Sequence, residues 1–229
     1  MNHFARLVRD ATQRLDRRLG TRVKPRLGDS YRNFLGMWSR VRRVVDPVMI
    51  KITFRMLPKP SPVKLHLGCG PKRFDGYINV DMWMTEATDV ICDIYQLPLP
   101  TESIDVIESH HVIEHISHRK IEDTLRQWHR VLKPGGHLYL ETPHFDRTIK
   151  EYLAGNEERL LSIFGQQRRT GDTHFYGYNP ERLSRLLSKV GFVDFRETPP
   201  QSHQAKEEPV FRLECSKRLL EQATSNSDA

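Results

Sequence analysis

The chain has 229 residues, enough to bury one good core and too few for two full-sized domains with a linker. Its 38% hydrophobic and 28% charged residues are those of an ordinary globular protein, and the most apolar early stretch, residues 44–54, is broken by Asp46, Pro47 and Lys51, well short of the ~20 apolar residues of a spanning helix. The net charge of +7 is uneven: residues 1–60 hold 15 Lys or Arg against 4 Asp or Glu, whereas the remainder is slightly acidic, so the basic character belongs to an appended N-terminal element suited to an acidic partner.

Residues 1–20 read as an amphipathic helix, with Phe4, Val8, Ala11, Leu15 and Leu19 on one face and arginines mostly off it. A second helical pattern runs from Tyr31 through Trp38, Val45 and Ile52, with Pro47 dividing it. Pro58, Pro60 and Pro62 mark a linker, which gives a basic helical extension over 1–60, a main domain over 61–220 and a polar, frayed tail over 221–229. Past the linker, strands are expected at 63–67, 77–81, 89–92, 104–109, 137–142, 192–197 and 210–215. Helices are expected at 120–132, 151–164 and from Pro180 to Gly191, the last with Asn179 as N-cap and Pro180 at the first helical position. The alternation predicts an α/β protein with a Rossmann-like, doubly wound, mostly parallel sheet and helices on both faces. No secretory h-region is visible, and Cys69, Cys92 and Cys215 form no CxxC or Cys/His cluster. The expectation is a reduced, cytoplasmic chain with no metal site, because the scattered histidines and acids lack ligand spacing.

In such a sheet a ligand sits beyond the C-terminal ends of the strands, where strand order reverses. The first strand ends in Gly68-Cys69-Gly70, which lets backbone pass close to a ligand. The second ends in Asp81, an acid placed to hold ribose hydroxyls, and the third in Asp93 beside Ile91 and Ile94, a setting for adenine. The fourth ends in Ser109-His110-His111, followed by Glu114-His115. Taken in order, Leu65-His66-Leu67-Gly68-Cys69-Gly70, Gly76-Tyr77-Ile78-Asn79-Val80-Asp81, Asp93, Leu97-Pro98, Ile104-Asp105-Val106-Ile107, Glu114-His115 and Arg130-Val131-Leu132-Lys133-Pro134-Gly135-Gly136 resemble the class I S-adenosylmethionine-dependent methyltransferase family, over about 80 residues.

The resemblance implies S-adenosylmethionine as cofactor. Gly68, Cys69 and Gly70 would cradle its methionine part, Asp81 the ribose, Asp93 and Ile94 the adenine, with Ser109 and His110 bordering the sulfonium; the Lys-Pro-Gly-Gly turn would stop a helix and start a strand. A third glycine usual in the family is replaced by Lys72, and the first crossover is too short for a full helix, so Lys72 and Arg73 are expected to project into the cleft. If the acceptor is a hydroxyl, a histidine base would take its proton; His110, His111, His144 and His174 are the candidates, the last three where the substrate must lie, and His115 is read as structural. The acceptor is expected to be a small molecule methylated on O or N, with a sugar or lipid-linked glycan intermediate in a surface-polysaccharide pathway as first guess by analogy. Two alternatives stay open: an RNA methyltransferase using the basic extension, disfavoured by Ser109-His110-His111 standing where base-modifying enzymes keep Asn/Asp-Pro-Pro-aromatic, and a non-catalytic scaffold of the same fold. Residues 1–20 are read as docking on the chain's own domain or lying on the inner face of an anionic membrane, with nucleic acid the lesser reading.

Overall fold

The structure is a computed structural model that describes residue 48 and residues 50–57, 59–168 and 171–219. The amphipathic pattern of residues 1–20, most of the second pattern and the tail lie outside the described residues; residues 50–56 are helical. The chain divides into two units, Met1–Pro58 and Lys59–Ala229. No helix among the described residues is long and apolar enough to cross a membrane.

The second unit is built on one seven-stranded sheet. Its strands are β1 (Lys64–Leu67), β2 (Ile78–Asp81), β3 (Val90–Ile91), β4 (Ile104–His110), β5 (Leu132–Pro143), β6 (Phe192–Thr198) and β7 (Val210–Lys217). The order is β3-β2-β1-β4-β5-β7-β6. β1 to β5 are parallel, and β7 runs antiparallel between β5 and β6. This is the mostly parallel, Rossmann-like sheet expected from sequence. The order reverses at β1, whose neighbours are β2 and β4, so the C-terminal ends of β1 and β4 flank the crevice.

Period-two alternation splits the sheet into two unlike faces. Leu65, Leu67, Ile78, Val80, Ile107, Leu138, Leu140, Leu213 and Cys215 share one face by register and are all buried. Helices α1 (Ile121–Val131) and α4 (Pro180–Val190) supply the matching apolar stripe, Ile121, Leu125, Trp128 and Val131 with Leu183, Leu187 and Val190. The other face carries His66, Asn79, Glu108, His110, Tyr139, Arg212 and Glu214. Arg212 pairs there with Glu108 and lies over the Tyr139 ring, while Glu108 also accepts from Tyr77. Among the described residues no helix joins β1 to β2, β2 to β3 or β3 to β4, and these connections are loops.

Two further boundaries differ from the sequence reading. The helix expected at 151–164 is two helices, α2 (Phe145–Leu153) and α3 (Arg159–Phe164), because Gly155 takes φ +100°, a conformation that breaks a helix. The Lys133-Pro134-Gly135-Gly136 segment is a bulge inside β5, where pairing with β4 jumps from Ile104–Leu132 to Val106–His137; α1 has already ended at Val131. A Cβ at Gly136 would sit 2.9 Å from the Lys133 carbonyl oxygen, which fixes glycine there.

Candidate active site

The glycine loop after β1 is set by packing. Gly68 has φ +70°, and a Cβ there would fall 2.2 Å from Val112 Cγ2. Gly70 has φ +52° and open space where a Cβ would stand, so its face is free for a ligand to approach. The amides of Gly68 and Cys69 both donate to Val80 O, at 2.8 and 3.1 Å. The Asp81 carboxylate ties the loop down, accepting from Gly70 N at 2.8 Å through one oxygen and from Trp83 N at 2.8 Å through the other. A carboxylate has about four lone-pair positions, so Asp81 keeps acceptor capacity for ribose hydroxyls. Asp93 is exposed and accepts from Tyr95 N at 2.9 Å, and the neighbouring Ile94 carbonyl is held by Trp128 Nε1 at 2.9 Å. The glycine cradle and the two strand-end acids fit the cofactor the resemblance implies.

Three expected cofactor contacts are placed otherwise. Cys69 is a core thiol, 3% exposed, with burial pushing its pKa up to about 11 and its amide committed to Val80. Ser109 is buried and donates to Leu67 O at 3.1 Å, joining the ends of β4 and β1. His110 points to the polar face, where Nε2 lies 2.7 Å from Glu108 Oε1 and 3.0 Å from Arg212 Nη1. Arg73 is likewise drawn from the cleft, donating to Ala87 O and pairing with Asp89 at 2.8 Å; Lys72 lies over the Phe74 ring.

The catalytic candidates also separate. His144 caps α2, its Nδ1 accepting from Arg147 N at 3.4 Å, and burial with the Arg147 charge lowers its pKa. The cap engages one ring nitrogen of His144 and sets it apart from the Glu114 cluster. His111, with φ +52°, places Nδ1 3.5 Å from Glu114 Oε1 and Nε2 3.1 Å from Ser202 Oγ. Burial opposes a charge on His111, but Glu114, Glu208 and Glu141 outweigh it and raise the pKa. His174 reaches the same place from the segment before α4. Its ring meets that of His115 edge-on, 4.7 Å between centroids, and one nitrogen of each lies within 4.8 Å of the other and of a Glu114 carboxylate oxygen. Glu114 is buried at 2% exposure; burial pushes its carboxyl pKa up, and His111 with the nearby His115 and His174 reverses this to about 2.

Sequence reasoning missed Glu114 and Glu141 as members of the site. Glu141 is 1% exposed and accepts from the amides of Gln201 and Ser202 at 2.6 and 2.9 Å, which fixes the loop that carries Ser202 to His111. The signal was present: an acid breaks the apolar run Leu138-Tyr139-Leu140-Glu141 at the strand's C-terminal end. Phe145, Thr148, Ser162 and Tyr176 line a small cavity beside Glu114 and His174, while Tyr178 is fully buried and Trp83 is exposed.

Residues 65–140 match the family described as "Methyltransferase domain". No curated protein matches the chain. Among solved structures the chain is similar to an S-adenosylmethionine-dependent methyltransferase of Methanosarcina mazei, at 18% identity and TM-score 0.48, covering 73% of this chain and 97% of that one. Another, from Archaeoglobus fulgidus, is 15% identical with TM-score 0.49, covering 80% and 100%. The stretch that matches the methyltransferase family model, residues 65–140, holds the glycine loop and strand-end acids seated at the reversal of strand order.

Proposed function

We propose that the chain methylates a hydroxyl oxygen of a small, hydroxyl-rich acceptor, a sugar or lipid-linked glycan intermediate. The observation that carries this reading is the cluster just beyond β4, where His174, from the segment before α4, joins His111 and His115 around the buried Glu114. Thr142 and Ser202 add hydroxyls to the same cluster. An acceptor met by imidazoles, hydroxyls and carboxylates is one that exchanges hydrogen bonds and gives up a proton.

In this reading Gly68 and Gly70 would admit the methionine part of the cofactor, Asp81 would accept from its ribose, and Asp93 with Ile94 would hold the adenine. S-adenosylmethionine supplies, when bound, a methyl group on a sulfonium that leaves by direct displacement. The protein then has to bring the acceptor oxygen in line and take its proton. His111 would take the hydroxyl proton as the acceptor oxygen is methylated, leaving the imidazole charged beside Glu114. His111 is held for this by Glu114 on one side and Ser202 on the other.

The three free, buried cysteines support action in a reducing compartment, the cytoplasm. The amphipathic, arginine-rich pattern of residues 1–20 supports contact with an anionic membrane surface, where a lipid-linked acceptor would be met. The test is transfer of a labelled methyl group to a panel of nucleotide sugars, polyprenyl-linked sugars, amines and RNA, with His111→Gln alongside. The expected result is label on a hydroxylated acceptor, lost in the variant by about a hundredfold or more. Label on RNA or amines alone, or an undiminished rate in His111→Gln, overturns the proposal.

A further inference from the structure

The same cluster holds a feature that proton transfer does not use. The His115 Nδ1 lies 3.0 Å from Thr173 O, and the His174 Nδ1 lies 2.8 Å from Ser162 O. A carbonyl oxygen only accepts, so both rings carry their proton on Nδ1, and in the neutral rings both Nε2 atoms are bare lone pairs. Between them sits Glu114. Its Oε2 accepts from Thr142 Oγ1 at 2.9 Å, while its Oε1 is buried and closes no hydrogen bond, His111 Nδ1 standing 3.5 Å away. One nitrogen from each ring and one Glu114 oxygen fall within 4.8 Å of one another. Pinning Nδ1–H on a carbonyl is how proteins orient a histidine for metal ligation through Nε2, and a hydroxyl donated to the carboxylate's second oxygen orients that ligand too.

We propose that Glu114, His115 and His174 bind one divalent transition-metal cation. Two imidazoles and a carboxylate suit zinc or iron(II) better than magnesium or calcium, which take all-oxygen shells. Ligands about 2.1 Å from a tetrahedral ion stand roughly 3.4 Å apart, so binding draws the donors together by about an ångström, a movement of side-chain rotamers. Three protein ligands leave a coordination position open. A small cavity, lined by Phe145, Thr148 and Tyr176, borders that position. A cation there would polarise the acceptor hydroxyl whose proton His111 takes. That role rests on the hydroxyl-methylation reading, whereas binding of the ion does not.

The experiment uses the full-length, tag-free protein, stripped with chelator and titrated with zinc chloride in competition with a chromophoric indicator. The expected result is one equivalent bound, weakened at least tenfold by His115→Ala and by His174→Ala and unchanged by His137→Ala, which alters an exposed imidazole on the polar face. Should the two variants fail to fold, zinc-edge absorption spectroscopy of the wild type decides. It should give two imidazole ligands at about 2.0–2.1 Å. Less than half an equivalent, affinity indifferent to both variants, or a first shell without two imidazoles overturns the site. One bound equivalent with methyl transfer equally fast in stripped and loaded protein leaves the site standing and refutes only its part in catalysis.

Discussion

Gly68→Ala tests the cofactor loop at its most constrained point. The new Cβ falls 2.2 Å from Val112 Cγ2 and 3.4 Å from Val112 Cβ, and the backbone at +70° disfavours any L side chain. The left-handed conformation costs about 1–2 kcal/mol. Forcing a methyl against a β-branched side chain, whose χ1 is stiff, adds roughly 1–3 kcal/mol. The sum, about 2–5 kcal/mol, is a large share of the stability of an ordinary domain. Val112→Ala removes the methyl that clashes and leaves its Cβ in ordinary contact, so it should relieve the second term and not the first. Urea unfolding of the two single variants and the double variant gives the coupling. It should be about 1–3 kcal/mol, with the double variant more stable than additivity allows. Calorimetric titration with S-adenosylhomocysteine should show affinity lost in Gly68→Ala and partly regained in the double variant. Additivity within about 0.5 kcal/mol, or full affinity in Gly68→Ala, would refute the packing argument.

Three more outcomes follow from the site and its support. Asp81→Asn turns one acceptor oxygen into a donor facing either Gly70 N or Trp83 N, so it should cost about 1–3 kcal/mol in denaturant unfolding as well as cofactor affinity; lost affinity with unchanged stability would show that the loop does not hang on this carboxylate. His66 is buried, and desolvation lowers its pKa from 6.5 to about 4, against its bond to Asn79. Between those values the unfolded chain binds the proton and the folded chain does not, so stability rises with pH from about 4 to 6.5 and is flat above. The gain is at most about 3 kcal/mol, and unfolding curves across this range should flatten in His66→Gln; an unchanged slope would contradict the assignment. His144→Ala should cost about 1 kcal/mol as a lost cap and leave the methyl-transfer rate within about twofold, whereas a hundredfold loss would restore His144 as the base.

The sheet was largely legible because its strands carry the right period and its turns the right residues. Asn179-Pro180 and Gly191 bound α4 where the sequence put them, with Asn179 accepting from Arg182 N at 2.7 Å and Gly191 at φ +108°. Less was visible where chemistry ran against habit. A histidine is an unusual N-cap, so α2 was not seen to start at Phe145, although Gly155-Asn156 offered the break between α2 and α3. The alternation in Ile104-Asp105-Val106-Ile107-Glu108-Ser109-His110 was itself a warning that one face of this parallel sheet is polar, since strands covered by helices on both faces read as continuous apolar runs. Within the site the strand-end glycines and acids could be read directly. The cluster at Glu114 could not, because His115 and Thr173 stand 58 residues apart and meet only when the segment before α4 folds back, with Phe175 N donating to Glu114 O at 2.7 Å.

The sheet and the loops that carry the glycine cradle therefore stand on different supports. On the apolar face of the sheet, helices α1 and α4 and the buried Trp128 give an ordinary packed core. On the cofactor side the crossovers are too short for helices, and side-chain hydrogen bonds to backbone do the ordering. Asn79 shows how: its Oδ1 accepts from Phe74 N at 2.9 Å, and its amide donates to Phe74 O, Tyr77 O and Asp89 Oδ2. Thr85 and Thr88 bond each other, and Thr85 bonds the Gly70 carbonyl. Such a lattice is directional, so it holds the glycine loop in one conformation without the bulk of a helix, and it leaves Gly70 with open space on its ligand side. Hydrogen bonds to water compete with it in a way they do not compete with Trp128. Denaturant should accordingly abolish cofactor binding before the sheet unfolds, with the β1–β2 and β2–β3 loops exchanging their amides ahead of β4 and β5.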